Sequence, residues 1–250
     1  MKDLNLITLP QLVSTAQVCF PTSFWPQQLD GSKLRSKLIR LIKENEHLSR
    51  DIGMDPLHNH IQKDLSVVYY RVINEVACLG AIANGTSSIK QFLATFFELF
   101  AEDKGYQQFY EFDYQERFER IGYVQTPIFY CLNNWLPFSK RDGVDFRKEY
   151  IHCSNEQERR ELLRTLLKDQ ILSLLRRLSY DAVYQLDIEM DTPNAIVPVT
   201  IPKKDVTLRF SMLKRQHFSL NFSLPSQVGF GEHTSIGYGH CTTRSYQSDR

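Results

Sequence analysis

His58 and His60 close the stretch Gly53-Met-Asp-Pro-Leu-His-Asn-His60 and stand two positions apart. In an extended chain, residues i and i+2 point to the same side, roughly 6 to 7 Å apart. That is about the span between an attacking and a leaving oxygen across a phosphate. Imidazole titrates near neutrality, so one ring can accept a proton while the other donates one. A bare His-x-His is most often structural, and it is as open to a metal site as to catalysis. The metal reading would have to recruit a third ligand from the distant His47, Asp51, Asp55 or Asp64, with no cysteine nearby. The letters His-Asn-His do not make an HNH nuclease, whose motif is spread over a ββα-metal unit that the pattern here does not show.

Two further stretches carry chemistry. Between Lys33 and Lys43 the cations Lys33, Arg35, Lys37, Arg40 and Lys43 have no acidic residue among them. Such a run is either a solvated helix face or a surface laid along a phosphate backbone, and its uniform sign favours the second. Near the other end, Gly229, Gly231, Gly237 and Gly239 fall within eleven residues directly after a strand-like run. Glycine at this density lets backbone N–H groups face a concavity, or lets another backbone or a phosphate approach closely. A P-loop is excluded because there is no Gly-Lys-Ser/Thr, and a dinucleotide loop because no strand–turn–helix context with a later acidic residue follows. Lys203, Lys204, Arg209, Lys214 and Arg215 precede the segment with only Asp205 opposing, so a polyanion fits there. His233 and His240 lie in or beside it as candidate contacts.

The elements that must hold these stretches follow from hydrophobic period. Leu12 to Phe20 alternates as a strand, and Asp30 or Ser32 can cap a helix with Leu34, Leu38, Leu41 and Ile42 on one face. Leu65 to Val72 and Val76 to Ile82 form a hairpin around Ile73-Asn74-Glu75. A helix capped at Thr86 to Ser88 carries Ile89, Phe92, Leu93, Phe96, Phe97 and Phe100 inward, and Tyr106 to Tyr114 is a strand candidate. This order, strand–helix–strand–strand–helix–strand, is ferredoxin-like (RRM-like) and accounts for the chain to about residue 115. A second strand run begins at Ile121 to Leu132, where Thr126-Pro127 implies an edge or a bulge. Trp135 to Tyr150 reads as a charged loop, and Ser154-Asn155-Glu156-Gln157 as a capping box opening a leucine-rich helix to Leu178. Short β-type runs follow at Val183 to Met190, Ile196 to Ile201, Val206 to Met212 and His217 to Leu224. The expected fold class is therefore α+β with tandem ferredoxin-like domains, residues 1–120 and 121–250, the second degenerate and carrying the glycine-rich loop.

Composition narrows the setting. The 42% hydrophobic content supports a real core, and a net charge of +1 excludes a uniformly basic coat, so any polyanion site rests on local asymmetry. Cys19, Cys78, Cys131, Cys153 and Cys241 are odd in number and scattered, which fits reduced thiols in a cytoplasmic protein. Met1 to Pro10 has no apolar core of the signal-peptide kind, and no apolar run approaches the roughly 20 residues of a membrane span. A cytoplasmic location without membrane attachment is expected.

Leu57-His58-Asn59-His60, then Tyr69-Tyr70-Arg71-Val72-Ile73, then Leu79-Gly80-Ala81-Ile82-Ala83-Asn84-Gly85 and a helix together resemble a known family. It is that of the CRISPR-associated endoribonucleases that cut precursor CRISPR RNA within its repeats. The Gly229 to Gly239 segment is similar to the C-terminal glycine-rich loop of the same superfamily, the repeat-associated mysterious proteins. The resemblance is specific over residues 53 to 100 and 228 to 240. It departs from the family pattern at Ser66, Tyr69 and Arg71, where proline, glutamine and lysine are usual. It implies metal-independent cleavage by 2′-hydroxyl attack, giving 2′,3′-cyclic phosphate and 5′-hydroxyl ends, with His58 and His60 catalytic and no cofactor. It further implies that CRISPR repeat RNA is the partner, held by Lys33, Arg35, Lys37, Arg40, Arg71, Lys203, Lys204, Lys214, Arg215, His233 and the glycines. Other CRISPR effector subunits and a homodimer are further candidate partners. The alternative is a non-catalytic RNA-binding subunit of a CRISPR effector complex.

Overall fold

The computed structural model describes residues 10–20, 30–44, 68–100, 112–138, 140–141, 144–180, 186–193, 195–203 and 206–243. It divides into an N-terminal unit, Leu12–Glu119 with Ser235–Gly237, and a C-terminal unit, Met1–Gln11 with Arg120–Thr234 and Tyr238–Arg250.

In the N-terminal unit the expected order of elements is present. Strand β1 (Gln11–Cys19) alternates inward Val13 and Thr15 with outward Leu12 until Val18 and Phe20 enter the core. Helix α1 (Gly31–Glu44) starts where the Asp30 carboxylate accepts the Lys33 amide at 2.8 Å, the N-cap bond expected of Asp. Strands β2 (Val68–Ile73) and β3 (Val76–Ile82) form a two-residue hairpin, with Asn74 and Glu75 at φ 49° and 67°. Both positive angles suit the twist of a tight hairpin. Helix α2 (Gly85–Phe100) and the first residues of β4 (Asp113–Trp135) complete the unit. Sheet order is β2-β3-β1-β4, the ferredoxin-like arrangement. Leu34 and Leu38 of α1 and Ile89, Phe92, Leu93 and Phe96 of α2 bury against Val68, Tyr70, Leu79 and Ala81. Phe97, expected inside, is 38% exposed.

The C-terminal unit repeats the plan around one long helix. Two expectations change here. Of the strand expected at Tyr106 to Tyr114, residues up to 111 lie outside the described ones, and Asp113 and Tyr114 run on into the strand expected at Ile121 to Leu132 as one strand, β4. Thr126-Pro127 does not end it, because a register shift against β9 (Val206–Ser223) between Tyr123 and Ile128 absorbs the proline as a bulge. The stretch expected as a loop from Trp135 instead contains the hairpin β5 (Lys140–Arg141) and β6 (Val144–Asp145) and helix α3 (Phe146–His152).

Helix α4 (Glu156–Arg177) begins one residue later than its expected capping box. Asn155 Oδ1 accepts the Glu158 amide at 2.9 Å, and Glu158 Oε2 accepts the Ser154 amide at 2.7 Å. Asn155→Ala should cost about 1 kcal/mol, read as a fall of roughly 2–4 °C in Tm, and an unchanged Tm would remove the cap from the account. Leu163, Leu166, Leu167, Ile171, Leu174 and Leu175 are its buried side. The helix packs against β7 (Ile188–Met190), which pairs with β9 (Val206–Ser223), itself paired with β4, with β8 (Ile196–Lys203) extending the β9 hairpin and β10 (His240–Thr243) on the far side of β4. Order β7-β9-β4-β10 is again ferredoxin-like. Where a second helix would stand there is only the 3₁₀ turn Thr234–Ile236 within the glycine-rich segment. The two runs expected across residues 206–224 are one strand, because Gln216 is fully buried and its Nε2 donates to the carbonyls of Asp191 at 3.0 Å and His217 at 3.1 Å. Among the described residues no helix is long and apolar enough to cross a membrane.

Candidate nucleic-acid interface

Within the N-terminal unit, the basic helix and the tip of the glycine-rich segment meet. A Cβ on Gly31, the first residue of α1, would collide with the carbonyl oxygens of Ile236 and Tyr70. Gly237, at φ 97°, would carry a Cβ to 3.1 Å from the Tyr70 carbonyl. The tip, Ser235–Gly237, thus lies against the first turn of α1 and the middle of β2, with glycine on both sides of the contact. From this junction α1 presents Lys33, Lys37 and Arg40 as one exposed stripe, opposite buried Leu34 and Leu38. Arg40 Nε sits 2.6 Å from Glu44 Oε1, an exposed pair of small energetic worth. Arg35 is half-buried, and its charge partly offsets the burial that pushes the Tyr70 phenol up.

Arg71 differs from the surface cation expected of it. It is 3% exposed, and its guanidinium lies 4.7 Å from the centroid of the buried Tyr69 ring. So packed, it braces β2 beside Gly237.

In the C-terminal unit most of the glycine-rich segment is committed to backbone partners. Gly229 bridges His240, and Gly231 bridges Leu136. The Phe230 amide donates to the Gly239 carbonyl at 2.9 Å, Glu232 to Leu136 at 3.0 Å, Gly239 to Asn134 at 3.1 Å and Cys241 to Val228 at 3.0 Å. A Cβ on Gly231, at φ 91°, would stand 2.5 Å from the Leu136 carbonyl, and one on Gly239, at φ 65°, would overlap the Phe230 carbonyl. Of the two uses of dense glycine raised by the sequence, these positions serve the approach of another backbone. His233, at φ 56°, sets its ring edge-on to Phe210 at 4.7 Å, and the His240 carbonyl accepts from Asn133 Nδ2 at 3.3 Å. Lys214 and Arg215 are exposed on β9, Arg215 in register with Asn133, and Lys203 ends β8 opposite Val206. Lys204, His58 and His60 lie outside the described residues.

Residues 122–244 match the family model of the Cas6b C-terminal domain. Over those residues the chain is a Cas6b C-terminal domain. Solved structures agree on the fold. A crystal structure of Cas6b aligns with TM-score 0.63 at 18% identity, covering 94% of this chain and all of that one. A second, described as a CRISPR RNA processing endoribonuclease Cas6b, aligns with TM-score 0.60 at 17% identity over the same shares. Csf5, a type IV Cas6 crRNA endonuclease, gives 0.52 at 17% identity, also over 94% of this chain and all of its own. No curated protein sequence matches the chain.

Sequence reasoning missed two residues that shape this Cas6 fold. Gly31 follows the capping Asp30, and nothing near it in sequence announces Ile236. Asn133 joins β4 to β10 through Nδ2, which reaches the His240 carbonyl and Thr242 Oγ1, both at 3.3 Å.

Proposed function

We propose that this chain is a metal-independent endoribonuclease that cuts precursor CRISPR RNA within its repeats to release guide RNAs. The observation that carries the reading is the match of residues 122–244 to the Cas6b C-terminal domain. Paired ferredoxin-like units and the junction of the basic helix with the glycine-rich tip support it.

In the proposed reaction one of His58 and His60 takes the proton from a 2′-hydroxyl, whose oxygen attacks the adjacent phosphorus. The other gives a proton to the departing 5′-oxygen, leaving a 2′,3′-cyclic phosphate and a 5′-hydroxyl. No water is consumed and no bond requires a metal. Lys33, Lys37 and Arg40 of α1, with half-buried Arg35 behind them, lie along the RNA backbone, and Lys214 and Arg215 with Lys203 and Lys204 supply a second run of phosphate contacts. Arg71 and the glycines act at one remove, by setting β2 and the loop tip. Repeat RNA is the partner; other effector subunits and a second copy of the chain are further candidates.

The deciding experiment incubates the protein with its own locus's repeat RNA in excess EDTA, then with a 2′-deoxy nucleotide at the cut. Cleavage in EDTA that the deoxy substitution abolishes is expected. Cleavage that needs added metal would replace the histidine mechanism, and no cleavage under any condition would leave an RNA-binding subunit. For the helix, Lys33→Ala with Lys37→Ala should weaken repeat binding and flatten the salt dependence of log K by about 0.7 for each lost phosphate contact. An unchanged slope would take α1 off the RNA.

A further inference from the structure

Strands β1 and β3 pair antiparallel and set Cys19 opposite Cys78. The Phe20 amide donates to the Ala77 carbonyl at 2.8 Å, so the adjacent Cys19–Cys78 pair is of the non-hydrogen-bonded kind. In such pairs the Cα atoms approach to about 4.5 Å, inside the range of roughly 4.4–6.8 Å that disulfides span. The two sulfur atoms are 2.9 Å apart, and both thiols are free. Arg71 stands opposite Cys78 in the next strand, so Arg71, Cys78 and Cys19 form one row across the same face of the sheet.

The two thiols are unequal. Gln17 Nε2 donates to Cys19 Sγ at 3.0 Å, and Cys78 can donate its S–H to the same sulfur. The Cys78 bond chiefly, and then that of Gln17, hold the Cys19 thiol down at about 6, against burial and the Asp113 charge. Cys78 is pushed up by its bond to Cys19, by burial and by the Cys19 and Asp113 charges, with Arg71 opposing. Cys19 is half-buried, whereas Cys78 is 2% exposed. The better nucleophile is therefore the one that solvent can reach, and the second thiol stands behind it.

We propose that Cys19 and Cys78 are a peroxide-reactive dithiol site that closes to a disulfide across β1 and β3. The Cys19 thiolate attacks one oxygen of hydrogen peroxide, breaking the O–O bond and leaving Cys19 sulfenic acid and hydroxide. Cys78 sulfur then attacks the Cys19 sulfur; the sulfenic hydroxyl leaves and, with the Cys78 proton, becomes water. Two electrons pass from the dithiol to the peroxide, and the hydroxide takes up a solvent proton to give the second water. Closure removes the thiolate charge from the row that holds Arg71.

Intact protein treated with hydrogen peroxide should lose two hydrogens in mass and yield a linked Cys19–Cys78 peptide on non-reducing digestion. Its rate should rise through about pH 6 and level off near neutrality, where an ordinary thiol of pKa ~8.5 is still mostly protonated. Cys19→Ser should abolish the link, and Cys78→Ala should leave a Cys19 sulfenic acid that dimedone captures. A substitution at buried Cys78 can disturb the strand, so unmodified protein carries an independent check. Phenylarsine oxide, which needs two sulfurs on one arsenic, should shield both cysteines from iodoacetamide. Separate oxygen adducts without a linked peptide, Cys19 reacting no faster than Cys153 at pH 7, or no shielding by the arsenical would each overturn the proposal.

Discussion

Replacing His58 or His60 with alanine is expected to slow repeat cleavage by about 100-fold or more while repeat affinity changes little. The reaction moves two protons at two oxygens, and water at neutral pH is a poor partner for both. A positioned acid or base is typically worth roughly 10² to 10⁴ in rate, so the lower bound corresponds to about 2.7 kcal/mol of transition-state stabilisation. Affinity should persist because the phosphate contacts proposed for Lys33, Lys37 and the β9 cations would dominate binding and are untouched. The pH profile supplies a second readout. With one imidazole needed neutral and the other protonated, unaltered protein should give a bell centred near the ordinary imidazole value of ~6.5. Each single variant should lose one limb of it. Single-turnover cleavage of a radiolabelled repeat measures both rate and profile, and a double variant cutting at the unaltered rate would sink the histidine assignment.

How far the sequence carried depended on the range of the forces at work. β1, α2 and α4 were legible because each buries one face at its own period, as Ile89, Phe92 and Phe96 do within α2. The proline bulge in β4 was legible too, since an imino acid has no ladder donor to offer. Continuity was not. Gln216 looks like a break between two apolar runs, and the carbonyls of His217 and of Asp191, just past β7, make its burial tolerable. For the site, the basic stripe of α1 followed from helical spacing, whereas the burial of Arg71 came from the Tyr69 ring two residues away on the same strand face. The glycines announced close approach but not of what. Leu136, Phe230 and Tyr70 carbonyls provide the answer, and the last of these lies far from Gly237 in sequence.

That long-range contact makes Gly31→Ala the sharpest structural expectation. At an exposed helix start, alanine in place of glycine would stabilise by about 0.4–1 kcal/mol, because it restricts the unfolded chain. Here the sign reverses. The added methyl meets the Ile236 and Tyr70 carbonyl oxygens at once, and both are backbone atoms that cannot swing aside as a flexible side chain can. Overpacking of this kind costs about 1–3 kcal/mol, which exceeds the helix gain. Relief can come only by moving α1 or by lifting Ser235–Gly237 from β2. Either response displaces Lys33 and Lys37 from the loop tip, so a lowered Tm should accompany weaker repeat binding, with single-turnover cleavage at saturating protein retained. Ser36→Ala, on the exposed side of the same helix, tests helix propensity alone and should leave both readouts in place. A Gly31→Ala variant as stable as the parent, with unchanged repeat affinity, would mean that the tip does not set the helix.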